Sequence, residues 1–545
     1  MLTSLEVANV RLFAKRDHGP NKGVWQFDLP RLAVFCGTNS VGKSTLVKVP
    51  LLLRQCQGIG EATETIGGQL RLVGSQVDLG TYESFVSNND LKRDVQLGFS
   101  ILFSLHPVWS AALRLWKTKP SAAAFFPTVA GDPQSTMHTA RVQFSFGLRH
   151  PVQTKARKKA AEMHALPIES AERTAFLKRA HVQILDGKEV LLDWTVELRS
   201  DPANAPIGAP RYEIRLPTAL LQATHWQTMI DVKGNQSETH QQFNTTLRGL
   251  LPESIDVKIR PPQHAAKKAV EPQIARWPLP SLVAEVTESL KAAIANVHYV
   301  GPLRAPAKRY YVAQSAADPG MDAAGEFLPY VIRDRGNQPV THILPGESTP
   351  VEEPLTVALD RWVHYLRTGL AESSSQGLHE IGIATTKEVL VEFSVRSSVG
   401  PKAHALADSG FGYSQVLPVL VRGLLAPTDA TLVIEQPEVH LNPALQVRLA
   451  EFFVALSRTG RQVIVETHSE HVVNALRVLA AESGDPTSGC SVFFLDASDG
   501  QPTVQKLTIE GDGSIDIWPP AFFGEAAMLR GRLLRAQKHH MTPPR

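Results

Sequence analysis

The sequence predicts an α/β protein built on a mostly parallel sheet, and three observations predict it. In Leu32–Thr45 an apolar run, Leu32 to Cys36, breaks into a glycine loop and then a helical pattern. Near the end, a buried strand (Thr431–Ile434), a helix (Ala444–Ser457) and a second buried strand (Gln462–Val465) alternate. Between them, from about residue 90 to 275, strands and turn signals follow one another, which predicts a β-rich insertion with antiparallel pairing.

Taken in order, Leu5–Phe13 and Val24–Leu29 read as strands ahead of the run Leu32–Cys36. That run ends in Gly37-x-x-x-x-Gly42-Lys43-Ser44, the P-loop pattern. Glycine at both ends lets the backbone turn tightly and bring N–H groups close to a polyphosphate. Lys43 has the reach for β- and γ-phosphates, and the Ser44 hydroxyl is a magnesium ligand. Leu46, Val49, Pro50 and Leu53 then recur at helical spacing. Pro50 is expected to kink or shorten that helix, because it lacks an N–H.

Gln69–Val73 reads as a further short strand, followed by Val95–Phe103, Arg141–Phe146, Val182–Leu185, Leu191–Leu198 and Tyr212–Leu216. Asp186-Gly187-Lys188 is a turn signal between two of these. Lys155–Lys159 opens a polar, helix-like stretch running to about Arg179. It reads as a solvated face, with phosphate-backbone contact as the alternative. Arg260-Pro261-Pro262 and Trp277-Pro278-Leu279-Pro280 read as linker-like turns. Ser281–Asn296 is an amphipathic helix with Leu282, Val283, Val286, Leu290, Ala293 and Ile294 on one face, and Val297–Val300 a strand. Leu359–Leu366 reads as a helix and Glu388–Val395 as an alternating strand.

The late strands carry chemistry at their ends. Thr431–Ile434 runs into Glu435, and Gln462–Val465 leads to His468. In parallel sheets ligands sit at the C-terminal strand ends, where the glycine loop, Glu435 and His468 all fall. A carboxylate there completes a magnesium–nucleotide site beside a P-loop.

Composition sets the outer limits. The chain has 545 residues, 43% hydrophobic and 20% charged, as in globular proteins of two to four domains. Net charge is +3, which decides neither for nor against a nucleic-acid partner. The three cysteines, Cys36, Cys56 and Cys490, have no metal-ligand spacing and give no disulfide framework. The first residues lack a signal-peptide pattern and no run of about 18 apolar residues occurs, so a cytoplasmic protein without a membrane span is expected.

With these motifs in view, the sequence resembles the ABC-type ATPases of the structural-maintenance-of-chromosomes and RecF sort. It looks most like the bacterial AAA-family branch that includes the ATPase part of the overcoming-lysogenization-defect nucleases. The matches are Gly37–Thr45 (Walker A), Asp408–Gln415 (signature-like), Thr431–Pro443 (Walker B and D-loop), Glu466–Ser469 (switch histidine) and Tyr299–Arg304. Ser514–Phe523 looks like the tail of an uncharacterised group within the branch.

The resemblance implies an ABC-type P-loop ATPase head, a mixed sheet flanked by helices, with a β-rich α+β insertion between Walker A and Walker B. The implied segments are 1–88 with Walker A, 89–280 as insertion, 281–500 with signature, Walker B and switch histidine, and 501–545 as tail. ATP and Mg²⁺ are the implied ligands. Gly37, Asn39, Ser40, Gly42, Lys43, Ser44 and Thr45 would contact nucleotide, with Ser44 and Glu435 at the metal. Two chains would pair head-to-tail around ATP. Gly412 and Ser414 of one chain would then cap the γ-phosphate held by Lys43 of the other, with His468 as sensor and Asn442 at the seam.

One departure bears on catalysis. The family's usual pair is Asp-Glu, whereas this chain has Glu435-Gln436. An amide cannot act as a general base. Gln436 then only positions the water, or Glu438 takes the role, or binding alone is the switch. The expected function is an ATPase that drives or switches a separate effector in DNA maintenance or antiviral defence. The alternatives are an ATP-locked scaffold that does not hydrolyse and a nuclease on the same chain.

Overall fold

The computed structural model describes residues 1–16, 23–59, 66–118, 136–148, 174–199, 210–223, 240–259, 273–312, 322–371 (apart from 345 and 348), 381–386, 390–396, 403–408, 411–483, 490–497, 502–516, 519 and 525–541. The expected basic run Lys155–Lys159, the turn Arg260–Pro262, Ser409-Gly410 of the signature and, apart from Pro519, residues 517–523 of the tail-like stretch lie outside these residues. By compactness the chain divides into two units. One comprises Met1–Leu29 and Lys48–Val297, the other Pro30–Val47 and His298–Arg545. The sequence-based segment 1–88 therefore contributes to both.

The first unit holds a ten-stranded sheet. Its strands are β1 (Leu2–Ala8), β2 (Trp25–Asp28), β4 (Val95–Leu105), β5 (Thr136–Leu148), β6 (Ala175–Asp186), β7 (Glu189–Leu198), β8 (Tyr212–Pro217), β9 (His240–Arg248), β10 (Leu251–Ile259) and β11 (Gln273–Pro278). The order runs from β11 down to β4 in sequence, then β1 and β2. Every neighbouring pair is antiparallel. Alternation explains the arrangement: Ala140, Val142, Phe144 and Phe146 of β5 are buried while the residues between them are partly exposed. The β6–β7 hairpin closes with Asp186 opposite Glu189, and Gly187 takes a φ of +61°, which glycine supplies without strain. The helix Ser281–Ala295 buries Leu282, Val283, Val286, Leu290 and Ile294, the expected face.

Three local expectations need correction. Gln69–Val73 forms only isolated bridges, Gln69 to Phe176 of β6 and Val73 to Asp78, because a single residue comes into register at each contact. Ala175–Arg179, read as the end of a polar helix, begins β6, where pairing with β5 overrides local propensity. Trp277 and Pro278 end β11 instead of forming a turn. β11 is the sheet's edge, where a missing N–H is tolerated.

The second unit carries the predicted α/β sheet. It comprises β3 (Leu32–Gly37), β12 (Val297–Val300), β19 (Thr431–Glu435), β20 (Gln462–Glu466), β21 (Cys490–Asp496) and β22 (Thr503–Leu507), in the order β12-β19-β20-β3-β21-β22. β19, β20, β3 and β21 are mutually parallel and β22 is antiparallel, so the sheet is mixed. β13 (Tyr311–Val312), β16 (Ile381–Thr386), β17 (Leu390–Arg396) and β18 (Ala403–Ala405) make a small antiparallel sheet, and β14 (Pro339–His342) pairs with β15 (Val351–Pro354). The core strands β3, β19 and β20 are buried almost throughout, as continuous apolar runs in a covered parallel sheet must be.

After the glycine loop, α1 (Lys43–Val47) and α2 (Val49–Cys56) are separate helices, with Pro50 in the first turn of α2. The break is the expected consequence of a residue that cannot donate to the preceding turn. The division between the two units falls at this break.

Trp362, in the helix Leu355–Thr368, anchors the second unit's core. It is fully buried, meets Phe452 edge-on at 4.8 Å and donates its indole N–H to His342 Nδ1 at 3.2 Å. His342 in turn bonds Glu353 at 2.7 Å. Trp362→Ala removes the ring and strands the imidazole, and is expected to destabilise this unit by about 3–5 kcal/mol. Scanning calorimetry would read this as a lowered transition for that unit.

Candidate nucleotide site

The glycine loop leaves the C-terminal end of β3, between β20 and β21. Gly37 faces Leu495 of β21 in register. A Cβ at Gly37 would lie 1.9 Å from the Leu495 carbonyl oxygen, and its φ is +128°, so only glycine fits. Thr38 continues the contact: its N–H donates to Leu495 O at 3.1 Å and its hydroxyl to Asp496 Oδ1 at 3.1 Å. Ser40 and Gly42 also have positive φ, +63° and +92°, and Asn39 and Ser40 form the exposed tip. Successive N–H groups in such turns form an anion-binding concavity.

Lys43 is buried and folds back along the loop. Its ammonium donates to Gly37 O at 3.2 Å and Thr38 O at 2.5 Å. Burial lowers its pKa, and the nearby Glu466 carboxylate opposes that shift. Ser44 donates its hydroxyl to Glu466 Oε1 at 2.8 Å. Thr45 is buried at the start of α1.

Glu435 and Glu466 are paired residues at the ends of β19 and β20, each only 2% exposed. Paired residues on parallel strands project to the same face. Glu435 Oε1 accepts from the Tyr299 hydroxyl at 2.7 Å. Burial, and then the Glu435 charge, push the Tyr299 phenol well above its ordinary pKa, so it stays a donor. Arg304 spans the turn after β19, donating to Glu435 O and Gln436 O, both at 2.9 Å. Burial lowers its pKa to about 10, which leaves it charged at neutral pH. The turn it braces is strained: Gln436 has a φ of +43°, a region that side-chain-bearing residues rarely occupy.

Glu438 ties this turn to the segment after β20. Its carboxylate accepts from the His468 backbone N–H at 2.7 Å and from the Thr467 hydroxyl at 2.9 Å. Burial raises its pKa despite those bonds. His468 titrates below its ordinary value, first because it is buried and then because Lys43 is near. Asn442 caps the helix Pro443–Arg458 by accepting from Leu445 N–H at 3.0 Å. Gly412 and Ser414 lie in the first turn of the helix Phe411–Leu425, with Gly412 nearest Leu441.

The structure thus gathers the glycine loop, Glu435, Gln436, Glu438 and His468 at one edge of one sheet. It adds Glu466 and Asp496, which strand order brings beside the loop, and gives Tyr299 and Arg304 bracing contacts. Glu466 was written in the sequence as an acid ending a buried strand, the same signal that selected Glu435. The arrangement fits a magnesium ion bound with a polyphosphate. Oxygen donors suit it, and such an ion needs only one or two protein ligands, the substrate supplying others. Ser44 and Glu435 would be those ligands, with Glu466 accepting the Ser44 hydroxyl.

Residues 360–474 match a family model described as "AAA domain, putative AbiEii toxin, Type IV TA system". The matched stretch contains Gly412, Ser414, Glu435, Glu438 and His468 but not the glycine loop. No curated protein matches the chain. Among solved structures it is similar to an Smc head bound to the C-winged helix domain of ScpA, at 9% identity over 93% of this chain and 98% of that one, with a TM-score of 0.37. A Pyrococcus furiosus Smc head with an extended coiled coil, bound to the C-terminal domain of ScpA, is 8% identical over 98% and 99% of the two chains, with a TM-score of 0.33. The SMC head domain of Thermotoga maritima is 9% identical over 92% and 98%, with a TM-score of 0.30. Among the described residues, no helix is long and apolar enough to cross a membrane.

Two outcomes follow from the braces. Arg304→Met removes two charge-assisted bonds from a strained turn and is expected to cost about 3 kcal/mol, read as a lower melting transition. For Glu438 the sign is set by a raised pKa: its stabilising share is full below the ordinary value of 4.5 and declines as pH rises through the raised one. The melting-temperature difference between wild type and Glu438→Gln should therefore shift against the wild type as pH is raised above 4.5. A difference that is flat with pH would refute the burial argument.

Proposed function

We propose that the chain is an ABC-type ATPase head that binds MgATP on Gly37–Thr45 and hydrolyses it. The observation that carries this reading is the convergence of Lys43 and Ser44 with two buried carboxylates at the C-terminal edge of one parallel sheet. Ser44 and Glu435 would hold magnesium, which when bound neutralises phosphate charge. Loop N–H groups and Lys43 bind the phosphates. Glu438 accepts the proton of the attacking water, since Gln436 is an amide. A buried carboxyl with a raised pKa is better matched to that task at neutral pH than an exposed one.

Two copies pair head-to-tail, so that Gly412 and Ser414 of one cap the phosphate held by the other, with Asn442 at the seam. The nucleotide-dependent pairing switches a separate effector in a cytoplasmic setting, in DNA maintenance or antiviral defence. The family description matched by residues 360–474, which names a toxin system, favours defence. The non-hydrolysing scaffold is the second reading. It is favoured by Gln436 and by the engagement of both Glu438 oxygens by Thr467 and His468.

Lys43→Ala is expected to abolish binding of a fluorescent ATP analogue by the purified chain. Unchanged affinity in that variant would sink the site. Phosphate release by the wild type, slowed at least 100-fold in Glu438→Gln, supports hydrolysis with Glu438 as base. ATP-dependent dimerisation without phosphate release would favour the scaffold.

A further inference from the structure

We infer that Glu466 is the positioning residue that turns Ser44 toward magnesium, a role to which the sequence pattern assigns no residue. The inference rests on the MgATP reading and adds a residue to it.

A serine hydroxyl that meets a cation through its oxygen must send its proton elsewhere. A carboxylate is the strongest acceptor for it and makes the oxygen a better donor to the metal. Ser44 has that arrangement, donating to Glu466 Oε1 at 2.8 Å. Strand order explains why this acid is the one in reach. β20 lies directly beside β3, with Glu466 in register with Phe35, two residues before Gly37. Glu435 is one strand further away, in register with Glu466. Its Oε1 receives the Tyr299 hydroxyl at 2.7 Å, and its backbone carbonyl receives Arg304. Tyr299 and Arg304 thus hold Glu435 at the outer strand, while Glu466 stands against the loop.

The environment also suits a cation. Glu435 and Glu466 are both 2% exposed and side by side. Two like charges so placed repel unless positive charge lies between or beside them. Lys43 is the protein's own contribution, but its ammonium is bonded to the loop carbonyls of Gly37 and Thr38. A divalent ion at Ser44 would relieve the repulsion directly. A purely structural strut between α1 and β20 is the competing account, and it makes a different forecast.

The test titrates a fluorescent ATP analogue into the full chain, with excess Mg²⁺ and with EDTA. Wild type is expected to bind more tightly with Mg²⁺. Glu466→Gln should lose roughly 10-fold of that magnesium increment. Its metal-free affinity should not fall, because a negative charge near the triphosphate has been removed. Adding Ser44→Ala to Glu466→Gln should cost little more, since the two act through one contact. Electron paramagnetic resonance of Mn²⁺ with ATP, in wild type and variant, gives a second readout of the weakened metal. Glu466→Asp, which keeps the charge and withdraws it by one methylene, covers the case in which Glu466→Gln does not fold, and should also lose magnesium increment. A full increment in these variants, together with its loss in Glu435→Gln, overturns the inference and leaves the MgATP reading standing. Wild type that binds no ATP under either condition overturns both.

Discussion

The site depends on how closely β3 approaches β21 at Gly37. The Leu495 carbonyl occupies the space where any side chain at that position would begin. The backbone must therefore leave the sheet with a positive φ. The same carbonyl takes the Thr38 N–H, and Asp496 takes the Thr38 hydroxyl. The loop is thereby pinned on the β21 side, which leaves its other side facing β20 and Glu466. Lys43 and Ser44 inherit their positions from that pinning. Phe35 stacking on Phe493 at 4.9 Å reinforces it two residue pairs below.

A second constraint is electrostatic. Burying Glu435 and Glu466 together is costly unless each is hydrogen-bonded. The fold answers with specific donors: Tyr299 to one, Ser44 to the other. Arg304 adds a charged donor aimed at the backbone of the turn, so its field reaches the acids without forming a direct ion pair. The acids are thereby ordered by the residues around them.

The sequence made the loop, the acid-tipped strands and His468 readable because each is a local pattern: an apolar run with a specific terminus. The β-rich insertion was readable for the same reason, since alternation in β4 to β8 needs no knowledge of partners. Strand order was not readable. Nothing local says that β20, and not β19, lies against β3, so Glu466 was given no role of its own beyond opening the match Glu466–Ser469. Tyr299 and Arg304 stood out only through family resemblance, and their work on the Glu435 turn is a tertiary fact. The misread pieces fail in the same way. Gln69–Val73 has strand-like residues but lacks a continuous partner, and Trp277-Pro278 has turn-like residues but sits at an edge that tolerates them.

The turn after β19 is held from several sides at Gln436. Gln436 sits in the left-handed region, with its N–H bonded to Glu466 O and its carbonyl to Arg304. Its backbone is thus fixed from both neighbours, and its amide has no proton affinity to offer. Two residues on, Glu438 has both: burial raises its affinity for a proton, and its oxygens are bonded to the segment that carries His468. Each carboxylate oxygen has a further lone pair beyond the bond it already accepts. Engagement by Thr467 and His468 therefore orients Glu438 without exhausting it. His468 and Glu438, thirty residues apart in the chain, are joined directly by the 2.7 Å bond from the His468 N–H.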